Sequence, residues 1–310
     1  MQSIFFFRMP RNIVYSCDEA YFCQGKHSIQ HFYELDDQLC WKEVVFAEEC
    51  KKKTMYAPVL DEFGDLCFLS SPENVQKISG LHYTLSSNML LLKDCKMFVT
   101  SGFSKKNWQQ CLSLNLNTGV TEPVPSMIIP RQGHVVCEHS GKIFAIGGET
   151  MFGKICNSVE CFDGSKWRLV ASMHEKRYNF AAISFRGSIF VFGGNGRCEQ
   201  VLNSVEKYDV AIDTWTQMST VPVRIAQHVA VESNGKIVVF GGYHHHGQHR
   251  MFAYFPERDT WQTIVCNNVP WQKIVRENIP LYGNVCNVLM EWTYCDDLYC
   301  SNVMPCEKHF

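Results

Sequence analysis

Gly187-Ser-Ile-Phe-Val-Phe-Gly-Gly194 decides how this chain folds, because the phrase is written three times. It recurs as Gly141-Lys-Ile-Phe-Ala-Ile-Gly-Gly148 and as Gly235-Lys-Ile-Val-Val-Phe-Gly-Gly242. The first glycines of the closing pairs, Gly147, Gly193 and Gly241, lie 46 and 48 residues apart, and a tryptophan follows each after 20 to 22 residues: Trp167, Trp215 and Trp261. A period of this size marks one supersecondary unit used repeatedly.

The middle copy spells out the unit. Phe180-Ala-Ala-Ile-Ser-Phe185 is a short apolar run ending at the turn Arg186-Gly187, and Ser188-Ile-Phe-Val-Phe192 is a second run rich in β-branched and aromatic residues. Such runs predict strands buried on both faces. Asn234-Gly235 stands at the same turn in the third copy, the strongest short hairpin signal, since both residues accept positive φ. The glycine pair ends the second strand and allows close approach by a neighbour. Asn157-Ser-Val-Glu-Cys-Phe162 and Asn203-Ser-Val-Glu-Lys-Tyr208 predict third strands, and Asp213-Thr-Trp-Thr-Gln-Met218 a fourth. The unit is a four-stranded antiparallel sheet, with the tryptophan filling the space between stacked sheets.

The pattern resembles the kelch repeat, in which a diglycine after an apolar strand is followed by a tyrosine and a tryptophan. The matching residues are Gly147, Gly148, Phe162 and Trp167; Gly193, Gly194, Tyr208 and Trp215; and Gly241, Gly242, Tyr254 and Trp261, with Phe for Tyr in the first copy. The resemblance covers Arg131 to Val265 and implies a β-propeller, one repeat per radial blade. The expected fold is an all-β, six-bladed kelch propeller over residues 1–265, with clear repeats over 131–265 and degenerate blades over 8–127. Residues 266–310 are expected to supply a ring-closing strand, a tail, or both, with Asn284–Tyr294 as the candidate strand.

Upstream the repeat decays. Lys96-Met-Phe-Val-Thr-Ser-Gly102 occupies the place of strand and diglycine, flanked by Leu90-Leu-Leu92 and Cys111-Leu-Ser-Leu-Asn-Leu116, with no tryptophan at the expected place. Leu66–Ser71 and Asn74–Ile78 predict a hairpin, and Asn12–Ser16, Ile29–Tyr33 and Trp41 another blade.

Composition bounds the function. A formal charge of −2 produces no strong field toward nucleic acid or a membrane surface. Lys51-Lys-Lys53 reads as a solvated loop. The sixteen cysteines include Cys137 and Cys161 inside predicted buried strands, where a thiol acts as a small hydrophobe. With only a short apolar core after Met1 and no apolar run of membrane-spanning length, the expectation is a cytoplasmic protein with reduced thiols.

Five candidate sites follow. Arg131, Arg177 and Arg224 precede the first strands at spacings of 46 and 47. In kelch-type substrate adaptors, arginines at this position line a pocket that grips acidic peptides, and the resemblance carries that role to these three. Pairing with a rim carboxylate is the alternative. The loops after the diglycines, beginning at Glu149, Asn195 and Tyr243 and including Phe152, Arg197 and His244, are candidate partner contacts or ordinary mobile loops. His244-His245-His246 with His249 reads as a histidine-rich binding loop, since neighbours in a loop converge poorly on one ion. Cys295, Cys300, Cys306 and His309 depart from zinc-module spacing and read as a free-thiol tail. No nucleophile elbow, P-loop, HExxH or Rossmann glycine motif occurs. Copper oxidases built on kelch-like blades need a ligand set that nothing here marks.

The expectation is a non-catalytic protein-binding module without metal or cofactor. Its first half, and the stretch from Arg8-Met-Pro-Arg-Asn-Ile-Val-Tyr, resemble the kelch domain of BTB-kelch receptors of cullin-RING ubiquitin ligases, although no BTB or BACK segment lies within these residues. Actin or cytoskeletal binding is the alternative; a metal- or sugar-binding propeller enzyme is the second.

Overall fold

The structure, a computed structural model, describes residues 3–6, 13–17, 29–35, 41–44, 57–60, 65–71, 74–82, 88–92, 96–100, 111–115 and 120–264, without 151, 234 and 244–250. The chain divides into two compact units, one over Met1–His82 and one over Tyr83–Val265.

In the first unit, β1 (Ser3–Phe6), β2 (Ile13–Cys17), β3 (Ile29–Leu35) and β4 (Trp41–Val44) form a four-stranded sheet. A three-stranded sheet follows: β5 (Ala57–Leu60), β6 (Asp65–Ser71) and β7 (Asn74–His82). The predicted strands at Asn12–Ser16, Ile29–Tyr33 and Trp41, and the hairpin at Leu66–Ile78, appear there.

The second unit holds four meandering sheets. They are β8 (Asn88–Leu92) to β11 (Thr121–Val124), through β9 (Lys96–Thr100) and β10 (Cys111–Asn115); β12 (Val135–His139), β13 (Lys142–Ile146), β14 (Val159–Phe162) and β15 (Trp167–Val170); β16 (Ala181–Phe185), β17 (Ser188–Phe192), β18 (Val205–Asp209) and β19 (Thr214–Met218); and β20 (Ala226–Ser233), β21 (Lys236–Tyr243), β22 (Met251–Phe255) and β23 (Thr260–Ile264). Each is antiparallel in strand order. First strands neighbour one another in sequence, β8 beside β12, β12 beside β16 and β16 beside β20. This is the all-β blade architecture of a kelch propeller. The candidate strand at Asn284–Tyr294 lies outside the described residues.

Local chemistry explains the elements. Ser140-Gly141 and Arg186-Gly187 both have positive φ, 52° and 75°, then 44° and 82°, the paired left-handed residues of a two-residue hairpin matching strand twist. The diglycines are demanded by contact. A Cβ on Gly148 would lie 2.6 Å from the Gln132 carbonyl oxygen, and one on Gly147 2.7 Å from that of Arg177 in the next repeat. The second glycine thus admits its own sheet's leading segment and the first admits its neighbour's, an approach no side chain permits.

The core lies between sheets. Phe98, Met127, Val136, Phe162 and Trp167 cluster between the first two sheets of this unit; Phe144, Ile146, Phe180, Tyr208 and Trp215 between the next two; and Phe192, Ile225, Val239, Phe252 and Tyr254, with Trp261 against them, between the last two. Each tryptophan is the register partner of its repeat's tyrosine or phenylalanine. Burying one such ring contributes up to about 5 kcal/mol by apolar area.

Candidate functional site

The loops after the diglycines occupy equivalent places. Glu149 bridges Gln132, its N–H donating to the Gln132 carbonyl at 2.8 Å. Asn195 bridges Tyr178 with the same bond at 2.8 Å. Tyr243 ends β21 paired with Ala226. Each loop therefore starts beside the segment leading into its sheet's first strand. Each of the first two then folds back on itself, Glu149 bridging Ile155 and Asn195 bridging Val201. Phe152 at the first loop tip is 85% exposed, and Arg197 and Cys198 on the second are exposed. Asn195 itself is only 4% exposed, which corrects its reading as a partner contact: its backbone closes the loop from within. Glu149 is half-buried and accepts from the Gln132 carboxamide at 3.3 Å. His244 and the histidines beside it lie outside the described residues, as do Lys51–Lys53 and the cysteine-bearing tail.

The three-arginine ring does not form. Arg131 and Arg177 are fully enclosed and bonded from within, although the buried Arg177 Nε has no partner among the described residues while the Arg131 Nε donates to the Ile129 carbonyl at 3.2 Å. Arg131 donates from Nη1 to the carbonyls of Gly147 (2.7 Å) and Ser158 (2.8 Å), and from Nη2 to Ser158 Oγ (3.1 Å) and Glu160 Oε1 (2.6 Å). Arg177 repeats the set on Gly193, Ser204 and Glu206, the last at 2.8 Å. Both side chains of both ion pairs are 0% exposed. Carboxylate pairing, the alternative sequence reading, is what these two arginines do, though in the interior and not at a rim. The carboxylates also fasten the chain between sheets. Glu160 accepts the N–H groups of Ile128 and Ile129 at 2.6 and 3.0 Å, and Glu206 those of His174 and Glu175 at 2.7 and 3.1 Å. Burial raises the Glu206 pKa, but Arg177 and these donors outweigh it and hold the carboxyl below its usual range.

Arg224 is not the third member. The Gly148 N–H donates to the Arg177 carbonyl and the Gly194 N–H to the Ile225 carbonyl, each at 2.8 Å, so Ile225 occupies the arginine's place and Arg224 sits one residue earlier. Register puts Phe252 where Glu160 and Glu206 stand. The buried ion pair has become a buried apolar pair, Ile225 with Phe252. Arg224 is exposed, donating to the Val201 carbonyl at 2.7 Å.

Sequence reading missed a second set of equivalent residues. Gly133, Asn179 and Gln227 have positive φ, 57°, 53° and 55°. The Asn179 N–H donates to the Gly133 carbonyl and the Gln227 N–H to the Asn179 carbonyl, each at 2.8 Å. These residues link the leading segments of three sheets head to tail, just beyond the Glu149 and Asn195 bridges. Their shared backbone has no shared residue type, so only proximity to the arginines could have flagged them. Behind the linked backbone, His134, Phe180 and His228 are buried. His134 Nε2 meets Thr100 Oγ1 at 2.8 Å. Burial first, then the charge of Arg131 or Arg177, pushes both histidines down to about 3.

Among the described residues no three His, Cys, Asp or Glu side chains stand together as metal ligands. The family model described as the KLHDC2/KLHL20/DRC7 Kelch-repeats domain matches residues 88–290. No curated protein matches the chain.

Proposed function

The chain belongs to the KLHDC2/KLHL20/DRC7 kelch-repeats family, and from that premise we propose that it receives a protein partner where the post-diglycine loops surround the leading segments of the first strands. Kelch propellers are protein-interaction modules, generally without catalysis. The observation that supports this place is the common setting of Glu149, Asn195 and Tyr243, where three loops begin beside equivalent strand starts. Phe152 is the contact anchor, because an aromatic 85% exposed at a loop tip is the residue type that dominates interface energies. Arg197 and Arg224, with Lys154 on the first loop, are exposed cations of this region. The finer assignment, a cytoplasmic substrate receptor of a ubiquitin ligase, rests on family analogy.

Affinity capture tests it. Wild type is expected to retain a defined partner, with ligase subunits for the receptor reading or actin for the cytoskeletal one. Phe152→Ala, Arg197→Ala and Arg224→Ala together are expected to lower that partner's recovery about tenfold with unchanged melting temperature. Equal recovery by the triple variant sinks the site.

A further inference from the structure

We propose that Phe152 is a preformed knob, and that the protein received at this face is a folded one whose apolar pocket, rimmed by carboxylates, encloses the ring. The inference rests on the loop-face reading above and specifies the kind of partner. Three hydrogen bonds close the turn that carries the ring: the Thr150 N–H donates to the Lys154 carbonyl at 2.9 Å, the Gly153 N–H to the Thr150 carbonyl at 2.9 Å, and the Lys154 N–H to Thr150 Oγ1 at 3.3 Å. The next repeat closes its equivalent turn with the first of these bonds, from the Gly196 N–H to the Gln200 carbonyl at 2.8 Å, and places Cys198 at the tip. The backbone of the repeat thus sets the turn, and the side chain at its tip is free to differ between copies.

Phe152 is 85% exposed, against 52% to 67% for the other exposed large apolar side chains, and it is the one exposed aromatic among the described residues. Leaving the ring in water forgoes the free energy that burial supplies. Because the turn is already braced, a partner recovers that free energy without first ordering the loop. A protruding ring also selects the shape of its receptor. An extended peptide can lie along it, whereas a folded surface can close around it on several sides, and enclosure in a desolvated pocket is what makes an aromatic a dominant contact. Charge defines the rim. Lys154 on the same turn, Arg197 on the equivalent turn and Arg224 on the following leading segment are exposed, and among the described residues none of them pairs with a carboxylate. The acids of these segments are engaged: Glu149 accepts from the Gln132 carboxamide at 3.3 Å, and Glu175 accepts from the Ser204 hydroxyl and pairs with Arg177 at 3.5 Å. The loop face therefore displays positive charge that these acids do not offset, and Asp and Glu around the partner's pocket complement it.

The test places a photoreactive benzophenone analogue of phenylalanine at position 152 of the full-length chain, and separately at position 197. Each form is irradiated in living cells, and the crosslinked residue of the captured protein is mapped by mass spectrometry. That protein is then purified and titrated against wild type and variants. The crosslink from position 152 is expected to fall inside a folded domain, at a residue lining an apolar cavity with Asp or Glu at its edge. Phe152→Ala is expected to weaken binding about thirtyfold and Lys154→Glu about tenfold, each with unchanged melting temperature. Raising the salt is expected to slow association of the wild type. A crosslink from position 152 into an extended, unfolded segment overturns the knob and leaves the loop face standing; so does equal affinity for Phe152→Ala, or capture from position 197 alone. Unchanged affinity for Lys154→Glu overturns the acidic rim, and with it the stated partner. Capture from neither position overturns the loop face and the knob together.

Discussion

At the scale of single residues, one position is filled in two chemically opposite ways. Arg177 with Glu206 and Ile225 with Phe252 occupy the same place in successive repeats, fully buried in both. A buried ion pair contributes little over an apolar pair of similar volume, yet removing one partner strands a charge. Glu206→Gln is therefore expected to destabilise by about 3–5 kcal/mol in urea unfolding, and Arg177→Ile with Glu206→Phe by much less. A double variant no better than the single would refute this equivalence. Acid should act as Glu206→Gln does. With the folded-state pKa depressed, the pair's stabilisation is complete above the ordinary carboxylate value and is lost as pH falls through the lower folded one. These residues also mark where sequence reading ends. Arginine spacing predicted three equivalent positions and an outward role. Spacing does not report depth, and a one-residue offset in the linker moved the third arginine to the surface while isoleucine took its place.

At the scale of elements, the linkers between sheets carry a repeated fastening. The indole N–H groups of Trp167, Trp215 and Trp261 donate to the carbonyls of Pro125, Ala171 and Ser219 at 2.8, 2.9 and 3.0 Å. In two repeats an aspartate completes it. Asp213 accepts from the Tyr208 hydroxyl (2.6 Å) and the Ala171 N–H (2.8 Å), and Asp259 from the Tyr254 hydroxyl (2.6 Å) and the Ser219 N–H (2.9 Å). The first copy lacks all three parts: Phe162 has no hydroxyl, Ser165 replaces the aspartate, and Pro125 has no N–H to offer. The Phe-for-Tyr departure visible in sequence is thus one part of a coordinated loss. Asp213→Ala is expected to cost about 1–3 kcal/mol by stranding the buried Tyr208 hydroxyl. It should also speed hydrogen exchange at the Ala171 amide while leaving that of Ser219 unchanged; equal protection at Ala171 would show the aspartate to be idle. Strand order was legible because diglycine, tyrosine and tryptophan each enforce one strand's position. The Gly133–Asn179–Gln227 linkage was not, because glycine, asparagine and glutamine share a backbone state and no sequence pattern.

At the scale of the whole molecule, His134 and His228 give the fold a dependence on pH. Burial and a nearby arginine hold both near 3, well below the free imidazole. The unfolded chain takes up these protons first, so stability should begin to fall below about pH 6.5, by up to roughly 1.4 kcal/mol per pH unit for each histidine. His228→Phe copies Phe180 of the middle repeat and should halve that slope in urea titrations between about pH 6.5 and about pH 5. An unchanged slope would place the early acid response elsewhere. The tryptophan fastening has a consequence for synthesis. Each linker is secured by a ring 42 to 44 residues downstream, so a junction stays open on the ribosome until the following blade has emerged. At ordinary translation speeds that wait is roughly 2–9 seconds. Nascent blades are therefore locked by their successors, and maturation runs one module behind elongation.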